Sequence, residues 1–123
     1  MKILVCEEED VLLTALEFRL NKQGHDITIG KSGEETLELY DQDKPDLIVI
    51  DKQTTDIDGL SLIQKLREEK KSKEPIVLIC RIEEDEDILE AVRLGATDFV
   101  TRPFKPLELS LRIRKIFQEQ GVS

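Results

Sequence analysis

Ionisable side chains follow several of the apolar segments that the sequence predicts to be strands. Three glutamates come directly after the first segment, at positions 7–9, and Asp51 follows the third. Cys80 ends the fourth segment, and Arg102 lies at the end of the fifth. In a parallel sheet, strand ends of this kind share one edge, and ligands bind there at the point where strand order reverses. The order of the chain therefore predicts that these carboxylates meet the guanidinium of Arg102.

Clustered carboxylates supply the hard oxygen ligands that Mg²⁺ and Mn²⁺ prefer, so the predicted cluster suits a divalent cation. A glycine-rich phosphate loop does not follow the first segment, because residues 7–10 are three glutamates and an aspartate. These charges would repel a nucleotide or flavin phosphate unless a metal intervened. A flavin-binding or other small-molecule-binding domain on the same fold is therefore disfavoured.

The elements that must position these residues alternate regularly along the chain. Apolar segments predict strands at 2–6, 26–29, 46–50, 75–80 and 97–101, and amphipathic segments predict helices at 10–23, 33–42, 59–69, 85–94 and from 106. The third and fourth strand segments are almost wholly apolar, as expected for strands buried on both faces. Five such units predict a single α/β domain with a flavodoxin-like, doubly wound parallel sheet in the order 2-1-3-4-5.

Charge and composition restrict the classes of partner. The chain of 123 residues has 27 acidic and 18 basic side chains, a net charge of −9, which argues against direct binding to nucleic acid or to an anionic membrane. No apolar run approaches the roughly 20 residues that span a bilayer, and the N-terminus does not resemble a signal peptide. Cys6 and Cys80 lie in apolar runs and form no disulfide framework. We therefore expect one cytoplasmic domain over residues 1–123.

Three stretches of the chain match a known signature. They are MKILVCEEEDVLLTALEFRL, PDLIVIDKQTTDIDG and GATDFVTRPF. The aspartate that ends the third strand, with Asp-Gly seven residues later, and the Gly-Ala-x-Asp-aromatic sequence before a Pro-Phe pair make a specific combination. From about residue 2 to 118, the chain resembles the receiver domains of bacterial two-component response regulators.

The resemblance implies a role for each residue at the acidic edge. Asp51 is identified as the phosphoacceptor. Glu8 is expected to bind Mg²⁺ or Mn²⁺ directly together with Asp51, whereas Glu7 acts on the metal through water. Gln53 supplies its backbone carbonyl to the same cation.

The resemblance implies that residues of the fourth and fifth strands contact the phosphoryl group and respond to it. Cys80 and Arg102 are expected to contact it, and Phe99 lies at the position of the aromatic switch residue. The peptide bond that precedes Pro103 is expected to be cis.

The resemblance also implies a function and its partners. A histidine kinase or a phosphotransfer protein donates a phosphoryl group to Asp51, and the domain acts as a switch rather than as an enzyme. The surface formed by the fourth helix, fifth strand and fifth helix is the output face. Asp98 and Arg112 lie where some DNA-binding response regulators form ion pairs across a homodimer.

Four residues of the site depart from the family pattern. Cys80 replaces a threonine or serine, Arg102 replaces a lysine, and glutamates at 7 and 8 replace a pair in which aspartate predominates. A thiol is a weak hydrogen-bond donor, and a planar guanidinium does not substitute closely for an ammonium. The alternative to a phosphorylated receiver is thus a degenerate pseudo-receiver, a protein-interaction module that works without phosphorylation. It predicts an ion pair between Arg102 and Asp51 that closes the site.

The acidic run after the first strand and the single histidine have simpler interpretations. The acidic run at 7–10 can stabilise the N-terminus of the first helix through its charge alone. His25, in the turn before the second strand, is expected at the surface and lacks a nearby set of metal ligands.

Overall fold

Five strands alternate with five helices along the chain. The computed structural model describes residues 1–54, 56–81 and 85–121. The strands are β1 (Lys2–Cys6), β2 (Asp26–Gly30), β3 (Leu47–Asp51), β4 (Ile76–Arg81) and β5 (Asp98–Arg102). The helices are α1 (Asp10–Lys22), α2 (Gly33–Asp43), α3 (Gly59–Glu68), α4 (Asp85–Leu94) and α5 (Pro106–Glu119). The predicted α/β class is therefore confirmed.

The strands form one parallel sheet in the order β2-β1-β3-β4-β5. The strand order that the sequence predicted is confirmed. The order reverses between β1 and β3, so the edge above these two strands is where a ligand of this fold binds. Among the described residues, no helix is long and apolar enough to cross a bilayer.

The sheet carries a hydrophobic layer on each face. Alternate residues of a strand point to opposite faces, so neighbours such as Val49 and Ile50 belong to different layers. Buried residues of α1 and α5 form the first layer, and those of α3 and α4 form the second. All five residues of β3 are buried, as expected for a central strand covered on both faces.

The last three strands begin and end one residue later than predicted. Asp51, Arg81 and Arg102 are still strand residues, because backbone pairing continues beyond the apolar run. The amide of Lys52, for example, still donates to the carbonyl of Ile79 at 2.8 Å. At the other end, Pro75 lies just before β4. The backbone of Asp51, Arg81 and Arg102 is therefore fixed by strand pairing, and their side chains project from the end of the sheet.

Local signals define several of the helix ends. Ser32 caps α2 by accepting from the amide of Glu35 at 3.0 Å, the contact that their spacing predicts. Gly24 and Gly95 follow α1 and α4 with φ angles of +89° and +116°, a region that favours glycine. Gly59 begins α3 for a steric reason, because a Cβ atom there would lie 2.5 Å from the Cα of Lys52.

His25 does not lie freely at the surface, and that expectation was wrong. Its ring is half-buried, with its centroid 5.4 Å from that of Phe117 in α5. Its Nδ1 atom is buried and has no hydrogen-bond partner in the described part of the chain. The helix that packs over this turn is distant in sequence, so the local pattern did not indicate the burial.

Candidate functional site

Three strands bring two carboxylates and one guanidinium into contact at the predicted edge. Glu7 follows β1, Asp51 ends β3 and Arg102 ends β5. The Nη2 atom of Arg102 lies 2.6 Å from Glu7 Oε1 and 3.0 Å from Asp51 Oδ2. The contact joins residues that are 95 and 51 positions apart in the sequence. The ion pair between Arg102 and Asp51, which the pseudo-receiver alternative predicts, is therefore present.

Glu7 is held by the backbone as well as by Arg102. Only 2 % of its surface is exposed, and its Oε2 atom accepts from the amides of Glu8 at 2.9 Å and Glu9 at 3.3 Å. Burial raises the pKa of Glu7 to about 7, with a further contribution from the neighbouring carboxyl of Asp51, and the two amides oppose this change. Glu7 is therefore a fixed, buried carboxyl group at the base of the site.

Arg102 supplies the positive charge at the centre of the site. A second nitrogen, Nη1, lies 3.3 Å from Glu9 Oε2, and the guanidinium stands 5.8 Å from the ring centroid of Phe104. Burial lowers the pKa of Arg102, but the charges of Asp51 and Glu7 outweigh burial and raise it overall. Arg102 therefore stays charged and joins β5 to β1 and β3.

Asp51 lies at the floor of an open pocket of about 450 Å³. Its Oδ1 atom accepts from the amide of Gln53 at 3.0 Å, while Oδ2 accepts from Arg102. The residues that line the pocket are Glu7, Glu8, Glu9, Asp51, Gln53, Arg81 and Arg102. The side chain of Asp51 is thus oriented from both sides and still faces a space that admits a small group.

The donor chemistry of this pocket fits a hard divalent cation. Glu8 is exposed and lines the pocket with Asp51 and Gln53, and carboxylate oxygens of this kind are ligands that Mg²⁺ prefers. Among the described residues, no group of three or more His, Cys, Asp or Glu side chains is arranged to hold a metal ion. Glu7 and Asp51 each turn one oxygen toward Arg102 instead.

Cys80 and Phe99 belong to the hydrophobic layer that contains α3 and α4. Cys80 is 2 % exposed, and its Sγ atom lies 3.9 Å from the carbonyl of Val100. Phe99 is half-buried against the hydrophobic layer that contains α3 and α4. Neither residue lines the pocket over Asp51. The peptide bond between Arg102 and Pro103 is cis.

Asp98 and Arg112 contact each other within the chain. Both carboxylate oxygens of Asp98 accept from Arg112 Nη1 at 3.2 Å, and Glu108 lies 3.7 Å from the same guanidinium. Asp98 and Arg112, the predicted pair across a homodimer, therefore form an ion pair within one domain.

Arg81 is a site residue that the sequence pattern did not predict. This residue ends β4 and pairs in register with Arg102 on β5. Its Nη2 atom donates to Gln53 Oε1 at 2.9 Å across the mouth of the pocket. Its place directly after Cys80, at the carboxyl end of a buried strand, was the signal that could have identified it.

The sequence matches the family model of the response regulator receiver domain over residues 3–114. It is 34 % identical over 122 residues to the alkaline phosphatase synthesis transcriptional regulatory protein PhoP of Bacillus subtilis, covering 99 % of this chain and 50 % of PhoP. It is also 34 % identical to the transcriptional regulatory protein AfsQ1 of Streptomyces coelicolor, over 94 % of this chain and 51 % of AfsQ1. The chain thus spans about half the length of these curated relatives.

Solved structures show the same similarity. A two-component response regulator from Clostridium difficile superimposes with a TM-score of 0.90 at 28 % identity, covering 98 % of each chain. The receiver domain of TorR, the response regulator of a TMAO respiratory system, superimposes with a TM-score of 0.88 at 27 % identity, over 96 % of this chain and 97 % of that one. The chain therefore belongs to the response regulator receiver domains of two-component systems, and it is a signalling domain rather than an enzyme.

Proposed function

We propose that Asp51 accepts a phosphoryl group and that residues 1–123 form one receiver domain that changes state as a result. The observation that carries this proposal is the position of the Asp51 carboxylate. It lies at the floor of an open pocket, with Oδ1 held by the amide of Gln53 and Oδ2 held by Arg102. An oriented carboxylate with a cation beside it is suited to attack phosphorus and to hold the charge of the product.

The transfer exchanges one bond to phosphorus for another. An oxygen of Asp51 attacks the phosphorus of a phosphohistidine on a kinase or phosphotransfer protein, and the P–N bond breaks with its electron pair returning to the imidazole. The product on Asp51 is an acyl phosphate. Arg102 then moves its hydrogen bond from the Asp51 carboxylate to the new phosphoryl oxygens, which carry more charge.

Mg²⁺ or Mn²⁺, when bound, neutralises the oxygens of the transferring group and the carboxylates around it. Glu8, Asp51 and the backbone carbonyl of Gln53 would hold the cation, and Glu7 would act through water. Glu7 and Glu9 also balance the charge of Arg102 while Asp51 is unmodified. The chain's own residues thus orient the nucleophile and hold the product charge.

The change of state follows from the new charge near β4 and β5. Arg102 and the phosphoryl-contacting residue of β4, Cys80, move toward the phosphoryl group. This movement favours a second position of α4, with Phe99 turned inward. Cys80 weakens this link by about 1 kcal/mol, the scale of one net hydrogen bond, because a thiol is a poor donor. The surface of α4, β5 and α5 is then the output face.

A second function is favoured by one specific contact. Arg102 already occupies the space between Glu7 and Asp51, so the carboxylates carry a resident cation. A pseudo-receiver that binds partners without phosphorylation would have this arrangement. Intact mass spectrometry after incubation with Mg²⁺ and acetyl phosphate separates the two functions.

We expect a mass increase of one phosphoryl group in the wild-type chain and none in Asp51→Asn. A wild-type chain that gains no mass, although folded, would support the pseudo-receiver instead. Phosphorylation that persists in Asp51→Asn would assign the acceptor to another residue.

The partners follow from the same function. A histidine kinase or a phosphotransfer protein in the cytoplasm would supply the phosphoryl group, and this domain would contact neither a membrane nor nucleic acid itself. A homodimer through α4, β5 and α5 would re-pair Asp98 and Arg112 between subunits. If it does, a double charge reversal at these residues restores an association that either single reversal abolishes, as measured by analytical ultracentrifugation of the phosphorylated chain.

A further inference from the structure

Arg81 is a second cation at the mouth of the Asp51 pocket, and the proposed function does not yet use it. Its Cα pairs in register with that of Arg102, so the two arginines leave adjacent strands at the same edge of the sheet. Arg102 contacts the carboxylates at the floor of the pocket, whereas Arg81 contacts the amide oxygen of Gln53 at 2.9 Å. Both line the pocket above Asp51.

Cys80, which precedes Arg81 in β4, is poorly suited to contact an oxyanion in this pocket. Its side chain is buried, lies against the carbonyl of Val100 and does not line the pocket. A thiol is also a weak hydrogen-bond donor. In β4, Arg81 rather than Cys80 lines the pocket with a strong hydrogen-bond donor.

Arg81 has the reach and the chemistry for this role. Its guanidinium is exposed and already crosses from β4 to the loop after β3, where Gln53 holds it through a neutral amide oxygen. A phosphoryl group carries more negative charge than an amide oxygen and accepts two parallel hydrogen bonds from a guanidinium. An oxyanion on Asp51 would thus draw Arg81 away from Gln53.

We propose that Arg81, and not Cys80, is the residue of β4 that contacts an oxyanion carried by Asp51, with Gln53 among its partners in the unmodified state. This inference rests on the proposed function of Asp51. It displaces the contact by one residue along the strand, from a buried thiol to an exposed guanidinium. The switch then depends on a charged contact at the pocket mouth.

Beryllofluoride tests the inference, because it forms a phosphoryl-like complex with a carboxylate. Its dissociation constant in the presence of Mg²⁺ is measured by ¹⁹F NMR for the wild-type chain, Arg81→Ala, Arg81→Lys and Cys80→Ala. We expect Arg81→Ala to weaken binding about tenfold to a hundredfold, the range for one charge-assisted hydrogen bond. Arg81→Lys should recover part of the affinity, and Cys80→Ala should change it less than about twofold.

Arg93→Ala, which removes an exposed arginine of α4, controls for the loss of one positive charge, and circular dichroism checks that each variant is folded. Equal affinity of Arg81→Ala and the wild-type chain would overturn the role of Arg81 and leave the function of Asp51 standing. A larger loss in Cys80→Ala than in Arg81→Ala would overturn it as well. A wild-type chain that binds no beryllofluoride would overturn both proposals.

Discussion

Arg102 makes the stability of the site depend on a single side chain. It contacts Glu7, which is buried, and Asp51, which is 11 % exposed at its side chain. Arg102→Ala would leave two neighbouring carboxylates without their cation, and breaking a buried pair is costly. Because Arg102 itself is 30 % exposed, we expect a loss of about 1–3 kcal/mol in the free energy of unfolding, measured by urea denaturation with EDTA present.

Arg114→Ala is the matched control for this change, because it removes an exposed arginine of α5. We expect it to alter stability by less than about 0.5 kcal/mol. Mg²⁺ should then stabilise Arg102→Ala more than it stabilises the wild-type chain, since the cation would take the place of the guanidinium. Equal stability of Arg102→Ala and the wild-type chain in EDTA would contradict the argument.

Protonation of His25 should change the stability of the chain in a defined direction. Burial, and to a smaller extent the positive N-terminus, lowers the pKa of His25 below 6.5. The folded chain then binds this proton less readily than the unfolded chain, so the neutral ring contributes stability above pH 6.5 that is lost as the pH falls through the folded-state pKa. We expect the wild-type chain to lose more stability than His25→Gln between about pH 7.5 and 5.5.

The wild-type chain and His25→Gln share every other titrating group, Glu7 included. The difference between their free energies of unfolding at each pH therefore isolates the contribution of His25. Glu7 acts in the opposite direction, because its raised pKa makes the folded chain the better proton acceptor. Parallel pH profiles for the two proteins would show that His25 does not titrate differently in the folded state.

At the scale of elements, Arg67 connects α3 to the end of α4 and to the loop before β4. Its guanidinium donates to the carbonyls of Gly95, Ser72 and Glu74, at distances of 2.7–3.2 Å. The last two carbonyls lie in the loop, whereas Gly95 follows α4. We expect Arg67→Ala to lower the free energy of unfolding by about 2–4 kcal/mol, because it leaves three carbonyls without this donor. Urea denaturation measures the loss.

Arg19→Ala on the exposed face of α1 is the control, with an expected change of less than about 0.5 kcal/mol. Arg67→Lys should lie between the wild-type chain and Arg67→Ala, because one ammonium nitrogen cannot replace the three guanidinium nitrogens that contact these carbonyls. A loss of less than about 1 kcal/mol in Arg67→Ala would show that water replaces the guanidinium.

The same residues show what the sequence could and could not predict. Apolar periodicity predicted each element, because it follows which faces are buried, and the succession of five strand–helix units predicted the strand order. It did not predict Arg67, since an arginine on an amphipathic helix counts only as polar. It also missed Arg81, whose role depends on a contact across two strands with Gln53. Contacts of that kind are set by the geometry of side chains, which a linear pattern does not contain.

For the whole molecule, the sheet separates two hydrophobic layers that share the central strands. Ile113 of α5 lies in one layer and Ile63 of α3 in the other, and both are fully buried. Their layers are connected through β1, β3 and β4, whose residues alternate between them. A small domain built in this way is expected to unfold in a single transition.

Ile113→Val and Ile63→Val test whether the two layers unfold together. Each should lower the free energy of unfolding by about 0.5–1.5 kcal/mol, and the double variant should lose the sum within about 0.5 kcal/mol, because the layers are separated by the sheet.

Two spectroscopic probes test the same point independently. Tyr40 is the only tyrosine, and the chain has no tryptophan. The ring of Tyr40 packs on the layer that contains Ile63. Tyrosine fluorescence therefore reports on one layer and circular dichroism on the whole chain. We expect Ile113→Val to shift both transitions equally, because the layer without Tyr40 cannot unfold alone; a shift confined to circular dichroism would show that it can.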